Sequence, residues 1–107
     1  MARTKLPDRR PSVTERNKIV LDGGKATPVL VTIGFADDAM TTPREVFCAD
    51  WKAGTALHAI VTDTCILISR LLQHGDRATE IAAAMCTPPS LPGQIAAIVA
   101  RHEGEKT

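Results

Sequence analysis

The spacing of apolar residues changes once along this chain, near residue 55. Upstream, Val29, Val31, Ile33 and Phe35 recur at every second position, which predicts a strand over 28–35 with one buried face. Lys18 to Leu21 is a shorter strand candidate, and Asp22-Gly-Gly-Lys25 between the two reads as a hairpin turn. Ala36 to Thr42 is a polar connector, after which Glu45 to Ala49 resumes β character. Three antiparallel strands in a meander are expected. Downstream of Thr55, Leu57, Ile60, Val61, Thr64, Leu67, Ile68 and Leu71 follow a helical period that stops at His74-Gly75. Cys65, Ile66 and Leu72 lie on its other side, so the pattern predicts a central helix covered on two faces, one of them by the sheet. A second helix is expected from an Asp76 N-cap to Met85. A third, about Leu91 to His102, is expected behind a Ser90 cap.

The expected fold class is therefore α+β: a three-stranded antiparallel sheet packed on a long helix, with two shorter C-terminal helices. Residues 1–14 carry charges and prolines without an apolar period and read as an extended N-terminal arm. Residues 15–102 read as a single domain and 103–107 as a C-terminal tail. At 107 residues and 44% hydrophobic content, one core forms without disulfides or metal. Two Phe, one Trp and no Tyr make that core aliphatic.

Thirteen basic residues against twelve acidic give a net charge of +1, which removes any global electrostatic argument for nucleic acid or membrane. The basic residues are denser near the start, at Arg3, Lys5, Arg9, Arg10, Arg16, Lys18 and Lys25. Nucleic-acid binding by this arm is a weaker reading than simple solvation. Cys48, Cys65 and Cys86 have neither disulfide-framework nor zinc spacing, which points to a reducing compartment. No apolar run approaches bilayer length, and a cytoplasmic location is the expectation.

The ordered series Val31-Thr-Ile-Gly-Phe35, Glu45-Val-Phe47, Lys52-Ala-Gly-Thr55, Asp63 and Ile68-Ser-Arg-Leu-Leu-Gln-His-Gly75 resembles the TSCPD domain family. That module occurs at the C-terminus of adenosylcobalamin-dependent ribonucleotide reductases and as short free-standing bacterial proteins. Leu6-Pro-Asp-Arg-Arg10 is similar to the opening of the free-standing kind, and the resemblance covers most of residues 5–99. Where the family carries Ser-Cys-Pro-Asp, this chain has Ser90-Leu-Pro-Gly93, so Leu91 and Gly93 replace the cysteine and the aspartate. The resemblance implies an accessory module related to the reductase tail, with ribonucleotide reductase or another protein as possible partner. Adenosylcobalamin enters only through the large reductase, and no cofactor or metal is expected in this chain.

Lys52-Ala-Gly-Thr55 stands where a strand hands over to a helix start, a place that offers free N–H groups and the positive end of the helix dipole. Lys52, Gly54 and Thr55 are thus candidate anion or nucleotide ligands. The competing reading is a glycine turn with Thr55 as cap. Trp51 beside them is a candidate for stacking or for an interface. Gly24-Lys25 lacks the earlier glycine of a phosphate loop, since position 19 is Ile19. His58, Thr62, Cys65 and Ser69 share a helix face without metal-ligand spacing. Whether Cys48 or Phe47 faces the core stays open. A small enzyme using Cys48 or Cys65 as nucleophile is the weakest reading. A binding or regulatory module without catalytic activity of its own is the leading one. A homodimer is expected because a small sheet leaves edges and a face for a second copy to cover.

Overall fold

Alternation in the middle strand organises the molecule: Val29, Val31, Ile33 and Phe35 are all buried and form one wall of the core. The computed structural model describes residues 11–20, 24, 26–49, 55–85 and 90–104. Strands β1 (Ser12–Val20), β2 (Ala26–Phe35) and β3 (Pro43–Ala49) form an antiparallel sheet in the order β1-β2-β3. Helices α1 (Thr55–Gln73), α2 (Ala78–Ala83) and α3 (Leu91–Ala100) follow, an α+β fold as the patterning predicts.

β1 is longer than the sequence suggested. It starts at Ser12, so residues 12–14 of the expected arm pair with Gly34, Ile33 and Thr32. Its inward positions are Val13, Glu15, Asn17 and Ile19, opposite Ile33, Val31, Val29 and Thr27. Two of the four are polar, which hid the alternation. Their partners lie just beyond α3: Arg101 Nη2 donates to Asn17 Oδ1 at 2.9 Å, and His102 Nε2 lies 3.0 Å from Glu15 Oε1. The His102 bond, then the Asn17 bond, holds the Glu15 carboxyl below its ordinary range.

α1 packs on β3 and turns Val61, Thr64, Cys65, Ile68 and Leu72 inward. This face is rotated by about 60° from the expected stripe, counting 100° per residue. Ile60, Leu67 and Leu71 of the expected stripe, and Ile66 of its other side, lie exposed. The helix ends in a Schellman motif, with Asp76 N donating to Leu71 O and Gly75 N to Leu72 O. Gly75 takes the left-handed conformation that this stop requires, at φ 105.

α2 is not capped by Asp76. Position Arg77 precedes the helix without a side-chain cap bond, and Glu103 supplies the acceptor from the far end of the chain. Its Oε2 accepts from Ala78 N at 2.7 Å and its Oε1 from the Thr79 hydroxyl at 2.7 Å. Gly104 N also donates to Thr41 O, so the first residues of the expected tail belong to the fold. Ser90 caps α3 as expected, accepting from Gly93 N at 3.2 Å. Ile95, Ala96, Ile98 and Val99 of α3 complete the core.

Both edges of the sheet are occupied by helix side chains. Along β3, Ser69 Oγ accepts from Val46 N at 2.9 Å and donates to Val46 O at 3.3 Å, while Gln73 Nε2 donates to Arg44 O. Along β1, the Gln94 amide pairs with both backbone groups of Val20, at 2.7 and 2.9 Å. Edge groups that would template another strand are satisfied within the chain at these points.

Candidate binding groove

β3 sets the parity of the site. Val46 and Cys48 oppose Ile33 and Val31, so both face the core side, while Phe47 opposes Thr32 and points out. The question left open between Cys48 and Phe47 is settled: Cys48 turns inward and Phe47 is 54% exposed. On α1, Cys65 shares the inward face with Val61 and Ile68, which brings it over Cys48. The two sulfurs lie 3.4 Å apart in a thiol–thiol hydrogen bond, and both cysteines are free.

Between β3 and α1 runs a groove of about 410 Å³, lined by Glu45, Val46, Phe47, Cys48, Thr62, Cys65 and Ile66, and farther along by Ser69, Arg70 and Gln73. Its walls are mainly apolar; Phe47 and Ile66 flank it and Arg70 stands at its rim. Glu45 is buried against Gly34, where a Cβ would stand 2.7 Å from Glu45 Cγ and Oε1. Gly34 is therefore the residue that lets a glutamate lie flat on the outer face of the sheet.

The thiol pair is electrostatically asymmetric. The hydrogen bond to Cys65, followed by burial, pushes the Cys48 thiol up, whereas the bond from Cys48 pulls Cys65 down against its own burial. The pair loses its first proton as a unit.

Of the residues singled out for anion binding, Lys52 and Gly54 lie outside the described residues, as does the stacking or interface candidate Trp51, and Thr55 is the first residue of α1. The face shared by His58, Thr62, Cys65 and Ser69 divides: the last three line the groove beside β3, while His58 is exposed outside its lining. Ser69 acts there on the sheet edge. Among the described residues no three His, Cys, Asp or Glu side chains stand together as a metal-binding group, and no helix is long and apolar enough to cross a membrane. Asp37 is a turn residue: it accepts from the Thr41 and Thr42 backbone N–H groups and from the Thr41 hydroxyl. The Thr41 hydroxyl bond leads the effects that lower its carboxyl below the ordinary value.

Cys48 and Cys65 were not paired by sequence reasoning. The signal was parity: Cys48 is two residues from Val46, and Cys65 is four from Val61 and three from Ile68. Comparison with family models, with curated proteins and with solved structures returns no match to this chain.

Proposed function

We propose that this protein is a non-catalytic binding module that works as a homodimer paired through α1. One observation carries the reading: Ile60, Leu67 and Leu71 are 47%, 63% and 42% exposed along one stripe of a 19-residue helix. Three large aliphatic side chains in a row on a monomer surface mark a contact site.

The spacing favours a second copy as occupant. Ile60 and Leu67 are seven residues apart, and Leu71 follows Leu67 by four, which is the seam of a helix pair. Asp63 and Arg70, also seven apart, flank the same side of that seam and are both exposed. In an antiparallel arrangement the two-fold axis brings Asp63 of each copy to Arg70 of the other. Ser69 and Gln73 on β3 and Gln94 at the Val20 end of β1 occupy edge groups that a further strand would need, which disfavours strand addition at those points.

Resemblance to the reductase tail module supports a regulatory role beside a larger enzyme, with ribonucleotide reductase as the partner class. An anionic or nucleotide ligand at Lys52, Gly54 and Thr55 is the second reading, favoured by the lack of any acidic residue in the first turn of α1. Lys52→Ala with unaltered nucleotide binding, or no binding by the parent chain, removes that reading.

Light scattering on a sizing column tests the dimer. The expected mass is twice the chain's 11.4 kDa, falling to the monomer for Leu67→Glu with the circular dichroism unchanged. Asp63→Arg should weaken pairing, and adding Arg70→Asp should restore it. A parent chain that stays monomeric at its solubility limit, or a dimer indifferent to Leu67→Glu, refutes the pairing.

A further inference from the structure

Cys48 and Cys65 belong to different elements, a strand and a helix held by core packing, yet their sulfurs approach to 3.4 Å. A disulfide needs them at about 2.05 Å, so each side chain has only a fraction of the remaining ~1.4 Å to travel. Access is unequal. Cys65 is 5% exposed, whereas Cys48 is half-buried on the wall of the groove. Arg70 at the rim offers a counter-charge to a carboxylate-bearing thiol compound.

We propose that Cys48 and Cys65 form a thiol–disulfide exchange site that takes a small anionic disulfide of the oxidised-glutathione class and closes to an intrachain disulfide between β3 and α1. In the first step the pair has lost one proton; Cys48 passes its own across the thiol–thiol hydrogen bond to Cys65 and attacks one sulfur of R–S–S–R. The S–S bond breaks and RS⁻ leaves with the electron pair, taking up a proton from solvent in place of the one the pair gave up, as RSH. Cys65 then attacks Cys48 Sγ in the mixed disulfide, the Cys48–SR bond breaks, and the second RS⁻ departs with the proton that Cys65 gives up. Two protein thiols are oxidised and one incoming disulfide is reduced to two thiols. The held geometry supplies the second thiol at high effective concentration, so the mixed disulfide does not accumulate. Closure ties the two walls of the groove to each other. The two thiols alone carry the exchange, whether Arg70 meets the incoming disulfide or Asp63 of a second copy.

The test is to treat the reduced full chain with oxidised glutathione, quench in denaturant with N-ethylmaleimide, and measure intact mass and a non-reducing peptide map. The expected product lacks two hydrogens, carries one maleimide at Cys86 and joins the Cys48 and Cys65 peptides. Cys65→Ala should instead retain glutathione on Cys48. Cys48→Ala should acquire it on Cys65 at least about tenfold more slowly, because the remaining thiol is buried. The proposal fails if the treated parent chain carries three maleimides, if a glutathione adduct persists as its end product, or if the bridge involves Cys86. It fails equally if Cys48 stays unmodified in Cys65→Ala.

Discussion

Glu103→Ala removes the acceptor that stands in for a helix cap on α2. The carboxylate accepts from Ala78 N and the Thr79 hydroxyl, and lies 3.3 Å from Arg77, with its side chain only 9% exposed. Loss of a helix N-cap is worth about 1 kcal/mol. The charge on the acceptor, placed at a helix N-terminus, adds about 1–2 kcal/mol. Arg77 is 46% exposed, so solvent screening limits its ion pair to under about 0.5 kcal/mol. The expected loss is roughly 2–3 kcal/mol, or a fall in Tm of about 10–15 °C for a domain of this size. Glu103→Gln keeps one oxygen acceptor and should lose about half as much. Burial raises the Glu103 carboxyl, but the Thr79 hydroxyl, the Ala78 and Thr79 N–H groups and Arg77 together bring it below its ordinary value of 4.5. A folded value below the unfolded one gives stabilisation that is complete above about 4.5 and is lost as pH falls through the folded value. Urea titrations followed by circular dichroism should therefore show a large midpoint difference between parent and variant at pH 7 that shrinks in acid. A loss below about 0.5 kcal/mol at pH 7, or one that persists undiminished at pH 3, refutes the capping argument.

Two further substitutions probe the sheet. Ser69→Ala leaves Val46 N and O at the β3 edge without their partner and should lower stability by about 1–2 kcal/mol; an unchanged urea midpoint would show that water replaces the hydroxyl freely. Gly34→Ala drives a methyl group to within 2.7 Å of the Glu45 side chain and should destabilise by about 1–3 kcal/mol. Thermal melts of Gly34→Ala alone and combined with Glu45→Ala check this, since removing the glutamate should recover most of the clash component.

Legibility in the sequence followed the balance between local pattern and distant partners. β2 was readable because its inward positions are all apolar, and the α1 stop because His74-Gly75 is a local signal. β1 was half hidden because Glu15 and Asn17 take inward places that make sense only with Arg101 and His102 beside them. The Asp76 cap was misassigned for the same reason: the oxygen that serves α2 comes from Glu103, 25 residues from Ala78. In α1 an excess of apolar residues blurred the period, so Ile60, Leu67 and Leu71 read as core although the sheet touches the neighbouring stripe. The groove required knowing the side of Cys48, which follows from β3 register and not from the alternation of Cys48 and Phe47 alone. Lys52 and Gly54 lie outside the described residues.

The Gln94 amide on Val20 has a temporal consequence. β1 is synthesised 74 residues before the side chain that occupies its edge, and Asn17 and Glu15 wait 84 and 87 residues for Arg101 and His102. In a nascent chain the Val20 edge stays without this partner until α3 has been made. Chains emerging side by side are vulnerable in that interval to strand exchange, a hazard that Gln94 reduces at the Val20 end once α3 has docked.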